Sequence, residues 1–141
     1  MIKEMVYTPE RCKPKILARD WYKGYEYLCI SYGVHPCAYV AVAKGQPYYD
    51  AKNYDDAWAL PCHGGCTFVN KGYDDIISGD FTVLGWDYAH AGDFAGYYMS
   101  SPNLHEWNRD SKKWTTKELI RDCEHVIEHL YLLENSKLFY K

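Results

Sequence analysis

The groups in this chain best suited to chemistry fall in two short segments. The first is Leu60-Pro61-Cys62-His63-Gly64-Gly65-Cys66-Thr67-Phe68, where His63 stands on a glycine pair just ahead of a β-type run. The second is Gly85-Trp86-Asp87-Tyr88-Ala89-His90-Ala91-Gly92-Asp93, which spaces Asp87, His90 and Asp93 at three-residue steps. Carboxylates with imidazoles form a general acid/base set, because a carboxylate orients an imidazole and tunes its proton affinity. They are also donors that divalent metals accept, so Asp87, His90 and Asp93 are metal candidates and all four residues are catalytic candidates. The competing reading is structural. Aspartates in glycine turns accept backbone N–H bonds, and histidines there bond carbonyls.

Four further sets carry weaker signals. Cys62 and Cys66 have zinc-like spacing, and His35 and Cys37 can complete four ligands; packing alone also explains such cysteines. His125 and His129 stand one helical turn apart, a spacing that binds metals but also describes a solvated helix face. Cys62 beside His63 suggests a nucleophile, although sequence neighbours rarely have the needed geometry. Phe94, Tyr97, Tyr98, Trp107, Arg109, Lys112, Lys113 and Trp114 interleave aromatics with cations, a combination that stacks rings and holds anions. From these sets, Gly64, Gly65, Trp86, Tyr97, Tyr98 and Arg109 are the ligand-binding candidates. No glycine-rich phosphate loop of recognised spacing is present.

The elements that must position these groups read as α+β. The chain has 141 residues, 48% of them hydrophobic, with fifteen tyrosines and five tryptophans, which suits one β-rich domain and excludes disorder. Tyr25–Tyr32 and Cys37–Ala43 read as an antiparallel hairpin about Gly33-Val34-His35-Pro36. Cys66–Asn70 and Phe81–Asp87 read as further strands, and Met5–Tyr7 as a short edge strand. Ile16–Tyr22 fits a helical turn or a strand equally. Residues 44–61, 71–79 and 89–107 read as loops. Thr115-Thr116-Lys117-Glu118 has the form of a capping box, and Leu119, Cys123, Val126, Ile127, Leu130 and Leu133 then recur on one helical stripe. The expected fold is an antiparallel sheet of at least four strands with a helix over 116–134 on one face. Along the single domain, 1–23 is a basic segment, 24–106 a β-rich core with acidic loops, and 115–135 the helix.

Net charge is −3, but residues 24–106 hold ten acidic residues against three basic ones. Such a middle repels nucleic-acid backbones, so no direct nucleic-acid binding is expected. No membrane-length apolar run is present, and Met1-Ile2-Lys3-Glu4-Met5 leads into no signal-like apolar stretch. The expectation is a cytoplasmic protein with its six cysteines reduced.

Several of these runs together resemble a known family. His35-Pro-Cys37-Ala-Tyr39-Val, Gln46-Pro-Tyr48-Tyr49, Tyr54-Asp55-Asp56, the His63–Phe68 and Gly85–Asp93 motifs and Arg121-Asp122-Cys123-Glu124 are similar to a family of small proteins from phages, prophages and their bacterial hosts. The resemblance spans residues 25–133. It departs from the family pattern at Cys66, where leucine is usual, at Gln46, where histidine is usual, and in a longer acidic stretch over 71–80. The departure at Cys66 weakens the zinc reading, since the family does not need that thiol. The resemblance implies a phage or mobile-element setting and no particular activity. By analogy it suggests a counter-defence accessory protein, binding a host defence protein or a small-molecule signal. The alternative is a hydrolase of a small phosphorylated or nucleotide-like molecule, acting through His63, Asp87, His90 and Asp93, with or without a divalent metal.

Overall fold

The computed structural model describes residues 2–100 and 105–136. Residues 101–104 of the predicted 89–107 loop lie outside this range. Five strands form one antiparallel sheet: β1 (Lys15–Tyr22), β2 (Tyr25–Ser31), β3 (Pro36–Val42), β4 (Phe68–Tyr73) and β5 (Ile77–Asp87). The spatial order is β1-β2-β3-β5-β4. One helix, α1 (Thr116–Glu134), packs across β1, β2 and β3. The expected α+β arrangement is therefore present, with five strands.

The ambiguous run before Gly24 is strand β1. Lys23 and Gly24 both have positive φ, at 47° and 86°, which is the geometry of a tight two-residue hairpin turn, and Tyr22 faces Tyr25 directly across it. The acidic stretch after Lys71 is a hairpin as well, not a long loop. β4 runs on to Tyr73, which pairs with Ile77 across a short turn containing Asp74 at φ 45°. Residues 5–7 form no strand; the segment is tied down by Lys3 N donating to Leu17 O at 2.7 Å.

Both faces of the sheet are covered. On one face Ala18, Tyr27, Cys29, Val40, Leu84 and Trp86 pack against Leu119, Cys123, Val126, Ile127 and Leu130 of α1. The helix begins as its sequence requires. Glu118 N donates to Thr115 Oγ1 and Thr115 N donates to Glu118 Oε1, closing the capping box. On the other face Leu28, Ile30, Tyr39, Ala41 and Val83 gather with Tyr73 and Ile77. No described helix covers this second cluster; the sheet curls over it. The two sheet edges approach one another where Arg19 of β1 donates to Ile76 O in the β4–β5 turn at 2.9 Å. β2 and β3 are thus apolar on both sides, which is why their sequences run nearly continuously apolar instead of alternating.

Candidate functional site

The two glycine-bearing segments do meet. Asp93 is 2% exposed and lies where the chain leaves β5. His63 Nε2 sits 3.0 and 2.9 Å from its two carboxylate oxygens. Trp114 Nε1 donates to Oδ1 at 2.8 Å, and the backbone N–H of His90 donates to Oδ2 at 3.0 Å. The carboxylate therefore fixes His63 with its proton on Nε2, leaving the Nδ1 lone pair as its acceptor. The His63 ring lies flat on Tyr88, with centroids 4.8 Å apart and planes 5° from parallel, and it touches Trp114 at 4.7 Å. Tyr88 is held in turn by Trp86 Nε1, which donates to its hydroxyl at 3.0 Å, and by its own bond to Asp122 Oδ2 of α1 at 2.6 Å. Burial, and then Asp122, raise the Tyr88 phenol so that it stays protonated.

Asp87 and His90 form a second pair, 5.7 Å from the first between the two imidazole rings. Asp87 Oδ1 is 3.2 Å from His90 Nε2, near enough for an ion pair. The angle does not suit a hydrogen bond, so Nε2 is buried with no hydrogen-bond partner, and the contact is better described as proximity than as a bond. Asp87 also accepts from Ala89 N at 3.2 Å and, at 3.4 Å, from Thr67 Oγ1.

Gly64 explains the first motif. Its φ is +71°, and a Cβ there would sit 2.2 Å from His90 Nε2. The backbone of one motif is the wall against which the histidine of the other rests. Gly64→Ala should cost about 2 kcal/mol, from left-handed strain and the His90 clash together. In a His90→Ala background the clash share should vanish and only about 1 kcal/mol remain. Denaturant titrations of the two single variants and the double variant measure this; equal costs in both backgrounds would show that the two motifs do not touch.

The other candidates scatter. Among the described residues no three His, Cys, Asp or Glu side chains are grouped to hold a metal ion. Asp87, His90 and Asp93 are divided between two pairs and share no centre. The zinc set fails on topology: Cys62 and Cys66 pack with the helix-side core, whereas Cys37 belongs to the cluster on the opposite face. Burial pushes the Cys62 thiol up to about 12, which makes it a poor nucleophile. All six thiols are free. His125 is exposed, and His129 turns instead toward the Tyr48 hydroxyl, 3.5 Å away. Trp86 is 1% exposed and belongs to the helix-side core, because it falls on the inward step of β5. Tyr97 is exposed, Tyr98 leans on Trp107 at 5.3 Å, and Arg109 pairs with Glu106 on the surface at 3.1 Å. Gly65 is at φ +88° with open space around it. The remaining cations are committed to neighbours: Lys112 to Glu118 at 2.7 Å, Lys113 over Phe94.

Sequence reasoning missed a cavity of about 300 Å³ at the Asp87 end of the curled face. Its walls come from Tyr32, His35, Cys37 and Tyr39, together with Thr67, Phe68, Trp86 and Asp87, and Arg11 also lines it. Tyr32 bonds both neighbouring phenols, Tyr73 at 2.6 Å and Tyr39 at 3.2 Å. Cys37 Sγ lies 3.8 Å from His35 Nδ1, but that nitrogen is also 3.1 Å from the Pro36 carbonyl, which can only accept. His35 Nδ1 thus carries a proton and cannot take one from the thiol. Burial, and then Asp87, push Cys37 up to about 12. This pocket is furnished for binding and not for thiol catalysis. The adjacent His35-Pro36-Cys37 triplet was its sequence trace; Arg11, from the N-terminal segment, had none.

Together these features define an α+β protein with a curled five-stranded sheet, two His–Asp pairs at one corner and a small polar-aromatic cavity beside them. No family model, no curated protein and no solved structure matches the chain. No described helix is long and apolar enough to cross a membrane.

Proposed function

We propose that this protein is a non-enzymatic binder of a small molecule, acting as a phage or mobile-element accessory protein that sequesters a host signal. The observation that carries the binding reading is the division of labour between the two sites. Asp93 is buried and already bonded to His63, Trp114 and the His90 backbone, whereas the open space lies next door, on the other side of Asp87. Groups satisfied by one another hold a wall in place; a cavity with unfilled polar walls takes a ligand. The phage setting and the host target rest on the motif resemblance alone.

The alternative, acid/base hydrolysis of a nucleotide-like molecule, is favoured by one feature: the Asp93-oriented His63, whose Nδ1 lone pair is that of a general base. Mass spectrometry of protein incubated with a cytosolic small-molecule extract distinguishes the two. The expected result is a stoichiometric small molecule retained and released intact, with retention kept by His63→Gln in proportion to the folded fraction. Recovery of a cleaved product that disappears in His63→Gln would replace the binder with the hydrolase.

A further inference from the structure

We infer that the cavity beside Asp87 takes a small planar molecule with an anionic group at one end and N–H donors at the other. This rests on the binding reading and specifies what is bound. The size sets the first limit. About 300 Å³ is the lower end of ligand pockets, room for one ring system and a substituent.

The walls set the second limit. Tyr32, Tyr39, Phe68 and Trp86 line the cavity, and Tyr39 and Phe68 meet edge to face at 5.4 Å, so aromatic rings form much of its wall. Such walls select a flat, polarisable occupant.

The charges set the third limit. The Arg11 guanidinium carbon lies over the Tyr32 ring, 4.3 Å from its centroid. No described carboxylate lies within ion-pair distance of it. An arginine held over a ring with no carboxylate partner keeps N–H donors for a two-point contact with a carboxylate or phosphate. Asp87 contributes the opposite end. Its bonds to Ala89 and Thr67 are long, at 3.2 and 3.4 Å, so its oxygens have capacity for ligand N–H donors. Arg11 and Asp87 line the same cavity, so the two charges flank one space. An occupant of matching polarity satisfies both, and a plain anion or a plain cation satisfies one and meets the other's repulsion.

Two sources share this chemistry, aromatic amino acids and purine nucleoside monophosphates. Titration calorimetry with L-tryptophan and guanosine monophosphate, each beside its counterpart without the anion (tryptamine, guanosine), separates them. One of the two anionic probes is expected to bind, with its counterpart weaker by about tenfold or more. Arg11→Ala should lower affinity for that probe by the same factor and leave the counterpart unchanged. Asp87→Asn should weaken both members of the pair. Lys117→Ala, which removes an exposed cation of α1 that does not line the cavity, should change nothing. The inference falls if neither probe binds at millimolar concentration, or if binding is indifferent to both Arg11→Ala and Asp87→Asn. In either case, retention of some other small molecule from the extract would preserve the binding reading and discard only this ligand class. Retention of none would discard both.

Discussion

Asp93→Ala should destabilise the protein by about 3 kcal/mol or more, the summed cost of leaving several donors at this corner without their acceptor, each about 1–3 kcal/mol. The carboxylate is almost fully buried, and its removal strands three donors at once: His63 Nε2, Trp114 Nε1 and the His90 backbone N–H. Each stranded donor loses its bond and cannot regain water without opening the corner. Trp107 adds a fourth tie through the Asp93 carbonyl at 3.1 Å, so the residue fastens the 105–114 segment to β5 as well as orienting His63. Asp93→Asn should be milder, about 1–2 kcal/mol, since the amide keeps one acceptor but turns an NH2 toward one of the donors. Asp87→Ala is the contrast. Asp87 is more exposed and makes only long bonds, so its loss should cost less than about 1 kcal/mol. Urea unfolding of the three variants reads this directly. If Asp87→Ala proved as damaging as Asp93→Ala, the assignment of one aspartate to the framework and the other to the cavity would be wrong.

That contrast was not legible in the sequence, where Asp87 and Asp93 look alike. Both follow a strand, both neighbour glycines, and both lie three residues from His90. What separates them is which chain segment arrives opposite, and the segments carrying Trp114 and Thr67 are distant from one another. Local features were legible. The Thr115–Glu118 box, the α1 stripe and the β2–β3 hairpin depend on spacing over a few residues, and they appear where the spacing places them. The approach of His63 to Asp93 and of His90 to Gly64 could be anticipated because glycines at the ends of neighbouring strands leave room for little else. β1 was obscured because an edge strand mixes Arg19 and Asp20 into its run, and only the Lys23-Gly24 turn betrays it. Trp86, a ligand-contact candidate in the sequence, belongs to the helix-side core and also lines the cavity, since on β5 it stands between Gly85 and Asp87. The cavity was invisible because its walls come from the N-terminal segment, the β2–β3 connection and strands β3, β4 and β5, and no single stretch contains enough of it.

The N-terminal segment is held over that cavity by a second device, and Gly96→Ala should release it at a cost of about 3 kcal/mol or more. A Cβ on Gly96 would lie 1.9 Å from the Thr8 carbonyl oxygen and 3.1 Å from Val34 Cα. These are backbone atoms, and no side chain can rotate aside to make room. The same three strips of backbone are bonded together, Gly96 N to Val34 O at 2.8 Å and Thr8 N to Gly33 O at 2.9 Å. Nor can the Gly96 loop withdraw freely, because Asn108 grips Ala95 from both sides, accepting from its N–H and donating to its carbonyl at 2.9 Å each. Either the 105–108 turn or the Thr8 segment must shift by more than an ångström. If the Thr8 segment gives way, it carries Arg11 off Tyr32, so the variant should lose the Arg11-dependent part of ligand affinity along with stability. Gly79→Ala serves as the control, with nothing within 4 Å of its added methyl, and should be close to neutral. Denaturant midpoints give the stability difference, and probe affinity in the folded fraction gives the rest. A Gly96→Ala protein as stable as its Gly79→Ala counterpart would show that the three backbone strips do not stack as described.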